Sequence, residues 1–343
     1  MRPALSTAAM IGAGLALLLG TGATTAVRAA DDDPWQPDRP ITVLVPWPAG
    51  GITDQMVRVA AGVVEDALGQ TLVVVNQPGA SGAIATQAAL DAARDGYTWT
   101  SGAPHDLGAY KVLGMLDTQI QDWHLFLVSS TGTIVSVNPD APWQTLPELL
   151  DAMRADPGGI SVATAGVNSS GHLSIETVAQ AAGVEYRHVP YDGGNPAVLA
   201  TVAGETQVTT QLAPEQAEMI RAGRLRPLAV FAGAPLEIAG HGAIPPVTEF
   251  LPDIEPKVVY TGFFLPKGVP DEVVATLERI WAEEVPQSEA IKAWAADRGA
   301  MLTPMSGEEA QEKAFPTVQN SAWLYYDAGK AEVSPDTLGI PRP

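Results

Sequence analysis

Residues 41–54 read Ile-Thr-Val-Leu-Val-Pro-Trp-Pro-Ala-Gly-Gly-Ile-Thr-Asp. A β-branched apolar run meets a Pro- and Gly-rich turn and then the start of helical spacing. Such a strand-to-helix turn is a candidate anion cradle: the first N–H groups of a helix have no intrahelical acceptor and point past the carboxyl end of the strand. Gly50 and Gly51 let the backbone come close, and Thr53 and Asp54 stand where caps are expected.

Three later loops share this character. They are Asn76-Gln-Pro-Gly-Ala-Ser-Gly82 before a helix at 83, Ala165-Gly-Val-Asn-Ser-Ser-Gly-His172 before a helix at 173, and Tyr191-Asp-Gly-Gly-Asn-Pro196 before a helix at 197. One such loop alone is better read as a structural turn. Four of them in both halves of an alternating strand and helix pattern point to a ligand at the carboxyl ends of the strands, where open α/β sheets hold their ligands.

Outward from this stretch the pattern repeats. The spacing predicts a strand over 41–45, a helix over 53–68, a strand over 71–76, a helix over 83–93 and a strand over 97–101, with His105 in the loop beyond it. Short apolar strands follow over 123–128 and 133–137. A second series then runs as helix 146–154, strand 160–163, helix 173–182, strand 185–189, helix 197–202, strand 207–211, helix 215–222 and strand 226–231. The stretch 232–256 is rich in Pro and Gly and reads as a returning linker. A strand over 258–265 and amphipathic helices over 271–284, 289–297 and 307–326 pack back on the first sheet. Crossings at about residues 133 and 256 make the first lobe discontinuous, 40–133 plus 256–343, with 134–255 as the second lobe and a hinge between them.

The 343 residues suffice for two domains with their own cores. Residues 1–29 read as a signal peptide: Arg2, an apolar stretch over 8–19, and Val27-Arg-Ala29 before the cleavage point. That stretch is short of the roughly 18 to 20 apolar residues that span a bilayer. A periplasmic location follows. The net charge of −20 becomes −22 once Arg2 and Arg28 are removed, because the first thirty residues carry no acid. Such a surface repels nucleic acid. With no Cys, disulfides and thiolate metal sites are ruled out.

The residues also resemble a known family. Pro46-Trp-Pro-Ala-Gly-Gly-Ile-Thr-Asp54 with Arg58, the 76–82 loop, Asp95-Gly-Tyr-Thr98, Ser169-Ser-Gly-His-Leu173, Val189-Pro-Tyr191 with Pro196-Ala197, and Ala222-Gly-Arg-Leu-Arg-Pro-Leu-Ala229 look like the solute-binding proteins of tripartite tricarboxylate transporters, the Bug or TctC-like family. The resemblance covers essentially the whole mature chain. It implies a two-lobed α/β periplasmic-binding-protein (Venus flytrap) fold that captures a small organic carboxylate, a di-, tricarboxylate or aromatic acid, for the membrane permease subunits of a transporter. A monomer without cofactor or metal is expected.

The family typically holds carboxylates through backbone N–H groups, hydroxyls and ordered water. Here none of the four loops contains Lys or Arg, so donors come from the main chain and from Thr53, Ser81, Asn168, Ser169 and Ser170. Candidate contacts in the first loop are Trp47, Ala49, Gly50, Gly51, Thr53 and Asp54, and in the second Ala80 and Ser81. His105, Asn168, Ser169, Ser170, His172, Tyr191 and Gln211 complete the set. Trp47 either roofs the ligand or packs at the hinge. Arg58 reads as the i+4 partner of Asp54, and Asp192 as a solvent-facing turn residue. Where many relatives have an acid closing the second-lobe strand, this chain has Gln207 and Gln211. That removes an acceptor for a ligand ammonium and argues against amino acids.

No catalytic constellation stands out. Gly166-Val-Asn-Ser-Ser-Gly171 has Asn168 where a nucleophile elbow needs Ser. His105, His124, His188 and His241 lack metal-ligand spacing, and His172 reads as a packing or capping residue. A ligand-presenting sensor for a signalling receptor is the alternative function, and a hydrolase a more distant one.

Overall fold

The computed structural model describes residues 34–343 apart from residue 239, so the signal-peptide segment 1–29 lies outside the described residues. In chain order the first series is β1 (Ile41–Val45), α1 (Ile52–Leu68), β2 (Leu72–Asn76), α2 (Ala83–Asp91), β3 (Thr98–Gly102), α3 (Pro104–Val112) and β4 (Trp123–Thr131). The second is β5 (Thr133–Val137), α4 (Leu146–Ala155), β6 (Ser161–Thr164), α5 (Ser170–Ala182), β7 (Arg187–Pro190), α6 (Gly194–Val202), β8 (Val208–Leu212), α7 (Ala213–Arg221) and β9 (Arg226–Val230). A small hairpin of β10 (Leu236–Ile238) and β11 (Gly242–Ile244) precedes the return through β12 (Val259–Pro266), α8 (Asp271–Glu283), α9 (Glu289–Arg298), β13 (Ala300–Ser306) and α10 (Gly307–Asp327).

Two mixed sheets result, ordered β13-β4-β12-β3-β1-β2 and β7-β6-β8-β5-β9. In the first, β1 runs parallel to β2 and β3, and β12 lies antiparallel to β3 and β4. In the second, β6 runs parallel to β7 and β8, and β5 lies antiparallel to β8 and β9.

Strand parity decides which helices cover each face. Ile41, Val43 and Val45 of β1 pack with Met56, Val57, Ala60 and Val64 of α1 and with Val273, Leu277 and Ile280 of α8. Leu44, pointing the other way, joins Ala85, Leu107, Tyr110 and the α10 residues Ala314 and Val318. The second sheet repeats the arrangement: Val135 and Val137 face α4 and α5, whereas Ile134 faces Val198 and Ala217 of α6 and α7. Each lobe is therefore a three-layer α/β/α sandwich with apolar residues on both strand faces.

The chain passes from β4 to β5 through Gly132 alone. The return crossing enters β12 at Val259, which pairs with Thr131 at the end of β4, so the two crossings lie side by side; Phe231, in the second-lobe core, donates its N–H to the Thr133 carbonyl at 2.8 Å. A Cβ on Gly132 would stand 2.7 Å from the Phe231 carbonyl oxygen, closer than real side chains come.

Several local expectations are corrected. His105 lies in the first turn of α3 rather than in a loop. Helices α5 and α6 begin at Ser170 and Gly194, three residues earlier than the spacing predicts. Residues 300–306 form β13 where no strand is expected, and the linker carries the β10–β11 hairpin. Strand β13 pairs on one side only, an edge position where a Pro such as Pro304 is tolerated.

Candidate functional site

The carboxyl ends of both sheets face a cavity of about 260 Å³. From the first lobe it is walled by the loop between β1 and α1 together with Ala103, Asp106 and Thr261. From the second come Ala165, Ser169, Ser170, the turn Gly193 to Pro196, Leu199, Gln211, Leu212 and Glu215. Among the described residues no Lys, Arg or His lines it.

The first loop is held from below by Asp54. Its Oδ2 accepts the Gly50 N–H at 2.8 Å. Its Oδ1 takes Arg58 Nε at 2.9 Å and Asn76 Nδ2 at 3.0 Å, and the same amide reaches the Trp47 carbonyl at 3.0 Å. Burial alone would raise the Asp54 pKa, but the hydrogen bonds from Arg58, Gly50 and Asn76 hold it below the ordinary value. Gly50, at φ +80°, and Gly51 turn the chain, and Gly51 is the N-cap of α1 without a side-chain cap. Neither Thr53 nor Asp54 caps that helix: Thr53 lines the cavity, and Asp54 bonds back to the Gly50 N–H. Arg58 also reaches Asn76 Oδ1 at 3.0 Å, consistent with a structural role.

In the second lobe Ser169 is the N-cap of α5. Its Oγ accepts the His172 N–H at 3.3 Å and donates to the Gly166 carbonyl at 2.9 Å. Ser170, one residue on, lines the cavity. The Gln211 side chain, 2 % exposed, has an Nε2 with no hydrogen-bond partner on the cavity wall. Together with the free first-turn N–H groups of α1 and α5, these atoms form a donor set with no formal positive charge, suited to a carboxylate.

Contacts between the lobes close over this space. Asn195 Nδ2 donates to the Gly50 carbonyl at 2.7 Å, and Pro48 and Ser81 pack so closely on Gly193 and Gly166 that a Cβ there would lie 2.8 and 2.7 Å from them. At the other side Tyr325 donates to the Val167 carbonyl at 2.6 Å.

Of the sequence-predicted contacts, Trp47, Ala49, Gly51, Thr53, Ser169, Ser170 and Gln211 line the cavity. The others do not, for identifiable reasons. Gly50 directs its carbonyl to Asn195 and its N–H to Asp54, which is itself spent on positioning the loop. Ala80 and Ser81 adopt positive φ of 47° and 51° at the mouth between lobes, where the Ser81 carbonyl accepts from Tyr110. His105 and Asn168 meet behind the cavity. Burial pushes the His105 pKa down to about 4, opposed by a backbone hydrogen bond to Asn168. His172 stacks on His188 at 4.1 Å and bonds to the Val167 carbonyl, so it packs under the loop. Tyr191 points to Glu205 at 3.4 Å.

Among the lining residues that the sequence did not point to are two acids. Asp106 and Glu215 stand in the first turns of α3 and α7, on opposite lobes. Burial raises the pKa of Asp106 well above its ordinary value and that of Glu215 to about 8, in each case against one backbone hydrogen bond. The only signal for either was its place just after a strand's carboxyl end. A larger groove of about 620 Å³ lies behind, between α5, the 253–259 segment and α10, away from the first-lobe loop. Among the described residues no cluster of three or more His, Asp or Glu is placed to hold a metal, and no helix is long and apolar enough to cross a membrane.

Known proteins share this architecture. The chain is 32% identical over 311 residues to protein BugT of Bordetella pertussis, covering 88% of this chain and 92% of that one. It is 34% identical over 280 residues to the UPF0065 protein in the tcbD-tcbE intergenic region of Pseudomonas sp. (strain P51), covering 79% of each. Among solved structures, a periplasmic transporter superposes with a TM-score of 0.77 at 26% identity, covering 85% of this chain and 98% of that one. An R. palustris protein with adipate does so with a TM-score of 0.77 at 25% identity and the same coverage. The model of the tripartite tricarboxylate transporter family receptor matches residues 56–316, a span that runs from within α1 to within α10, and the chain belongs to that family.

Proposed function

We propose that the protein is an extracytoplasmic receptor that captures a small organic acid between its lobes and delivers it to the permease subunits of a tripartite tricarboxylate-type transporter. The observation that carries this reading is the inter-lobe cavity. Both lobes contribute donors to it, no Lys, Arg or His among the described residues lines it, and its volume of about 260 Å³ fits a molecule of a few carbon atoms. The adipate held by the R. palustris relative supports a carboxylate as the ligand class. A ligand touching both lobes favours the closed state, which gives a permease a conformation to read. Export of the chain with removal of residues 1–29 fits the same role.

A thermal-shift screen of organic acids beside their amides tests it. A bound acid at 100 times its dissociation constant adds about 2.7 kcal/mol of stability, and the matching amide does not. Equal shifts from acid and amide would sink the carboxylate reading.

A further inference from the structure

The cavity has two chemically different parts. One consists of donors: the first turns of α1 and α5 and the unpartnered Nε2 of Gln211. The other carries two carboxyl groups. Asp106, 5 % exposed, has an Oδ1 with no hydrogen bond, and His105 Nε2 stands 3.3 Å from it. Burial keeps that imidazole neutral near pH 7, so it supplies no counter-charge. Glu215 receives the Leu212 N–H at 3.3 Å. Among the described residues neither acid pairs with Lys or Arg.

A desolvated carboxyl without a partner is costly unless it is protonated or meets a cation. A ligand with a second carboxylate finds no basic side chain beside either acid and lies against them only while both keep their protons. A ligand ammonium has the opposite effect: it satisfies Asp106 from the first lobe and Glu215 from the second, and draws the lobes together. We infer that the site takes a small zwitterion, a carboxylate whose other end bears an ammonium held between Asp106 and Glu215. The inference rests on the receptor reading above and narrows its ligand class. The acid acceptors absent at 207 and 211 are thus provided from elsewhere in the fold.

Isothermal titration calorimetry on the mature protein decides it, using pairs that differ only in the far group: succinate against β-alanine, glutarate against 4-aminobutyrate, propionate against alanine, with 1,3-diaminopropane as the amine without carboxylate. At least one amino-bearing acid is expected to bind roughly tenfold more tightly than its partner. Asp106→Asn and Glu215→Gln, each checked for an unchanged far-UV spectrum, are expected to remove that preference. Asparagine and glutamine keep shape and donor capacity but cannot carry the negative charge. Dicarboxylates binding equally well or better overturns the inference and leaves the receptor reading standing. So does a preference that survives in both variants. Binding of the diamine with no carboxylate bound overturns the zwitterion and the carboxylate reading together, as does silence from every probe at millimolar concentration.

Discussion

At the scale of single residues, position separates side chains that look interchangeable in sequence. Ser169 and Ser170 are adjacent, yet Ser169 caps α5 and Ser170 does not. Ser169→Ala is expected to cost about 1 kcal/mol of stability, the usual value for an N-cap. Ser170→Ala leaves stability unchanged and weakens acid binding by roughly 0.5 to 3 kcal/mol, the range for a lost hydrogen bond to a neutral or charged group. Urea unfolding and calorimetry on the two variants check the split. Glu215 gives a pH signature. Its pKa is raised to about 8 in the folded state, so the folded form holds the proton more tightly than the unfolded chain does. Its contribution is fully present below the unfolded carboxyl value and is lost as pH rises towards 8. Glu215→Gln is therefore expected to flatten the decline in melting temperature between about pH 5 and 8, and an unaltered profile would show the group to be solvated.

At the scale of elements, the first-loop turn depends on a buried carboxylate and helix α5 on a half-buried one. Asp54 has its pKa lowered, so its stabilising effect is present above the unfolded value and is lost as pH falls through the folded one. Asp54→Asn removes the charge received by Arg58 and the Gly50 N–H. The partner Arg58 is about half exposed, so the loss is expected to stay near 1 to 3 kcal/mol rather than the larger figure of a fully buried pair. Ligand binding is expected to weaken as well, because the loop it holds is part of the cavity wall. Helix α5 is tied to the C-terminal segment by Glu176, which accepts from Lys330 at 2.7 Å and from Tyr186 at 2.7 Å. Burial would raise its pKa, but the hydrogen bonds from His172, Lys330 and Tyr186 drive it well below the carboxylate range. Lys330→Met, at a side chain 39% exposed, is expected to cost under about 1 kcal/mol, and Glu176→Ala clearly more because it strands the Tyr186 hydroxyl. Paired denaturant titrations distinguish the two.

At the scale of the whole molecule, the two crossings, at Gly132 and just before Val259, lie side by side and leave the sheets at the same strand ends that face the cavity. Across the front of the cavity the one side-chain hydrogen bond from lobe to lobe is Asn195 to Gly50 among the described residues. That bond, Tyr325 to Val167, Lys330 to Glu176 and Arg221 to the Asp297 carbonyl are separate polar links between the lobes, each contributing about 0.5 to 1.5 kcal/mol net and so able to yield to opening. The empty protein is therefore expected to spend time open, and its radius of gyration in small-angle scattering to fall when ligand saturates it. Asn195→Ala is expected to enlarge the empty form further while leaving the saturated form compact. An identical profile with and without ligand would mean that packing at Pro48 and Ser81 already holds the lobes closed.

The alternation of apolar strands and amphipathic helices, the four Gly-rich turns and the crossing near residue 133 were legible in the amino-acid sequence, because periodicity and turn chemistry are local properties. From the same reading came Trp47, Thr53, Ser170 and Gln211, each next to a strand's carboxyl end, where α/β topology puts a ligand. Strand β13 was not legible, since its Pro304 and mixed polarity pass as loop until an edge of the sheet is there to receive it. Nor were Asp106 and Glu215. They are 109 positions apart in the chain, each an ordinary first-turn acid of a helix, and only the packing of α3 and α7 on different sheets brings them to one cavity. Which segments become strands, helices and turns was settled along the chain, because backbone preference and burial pattern act over a few residues. The tertiary structure alone decided which donors and acids share one desolvated space, because that depends on contacts between residues far apart in the chain.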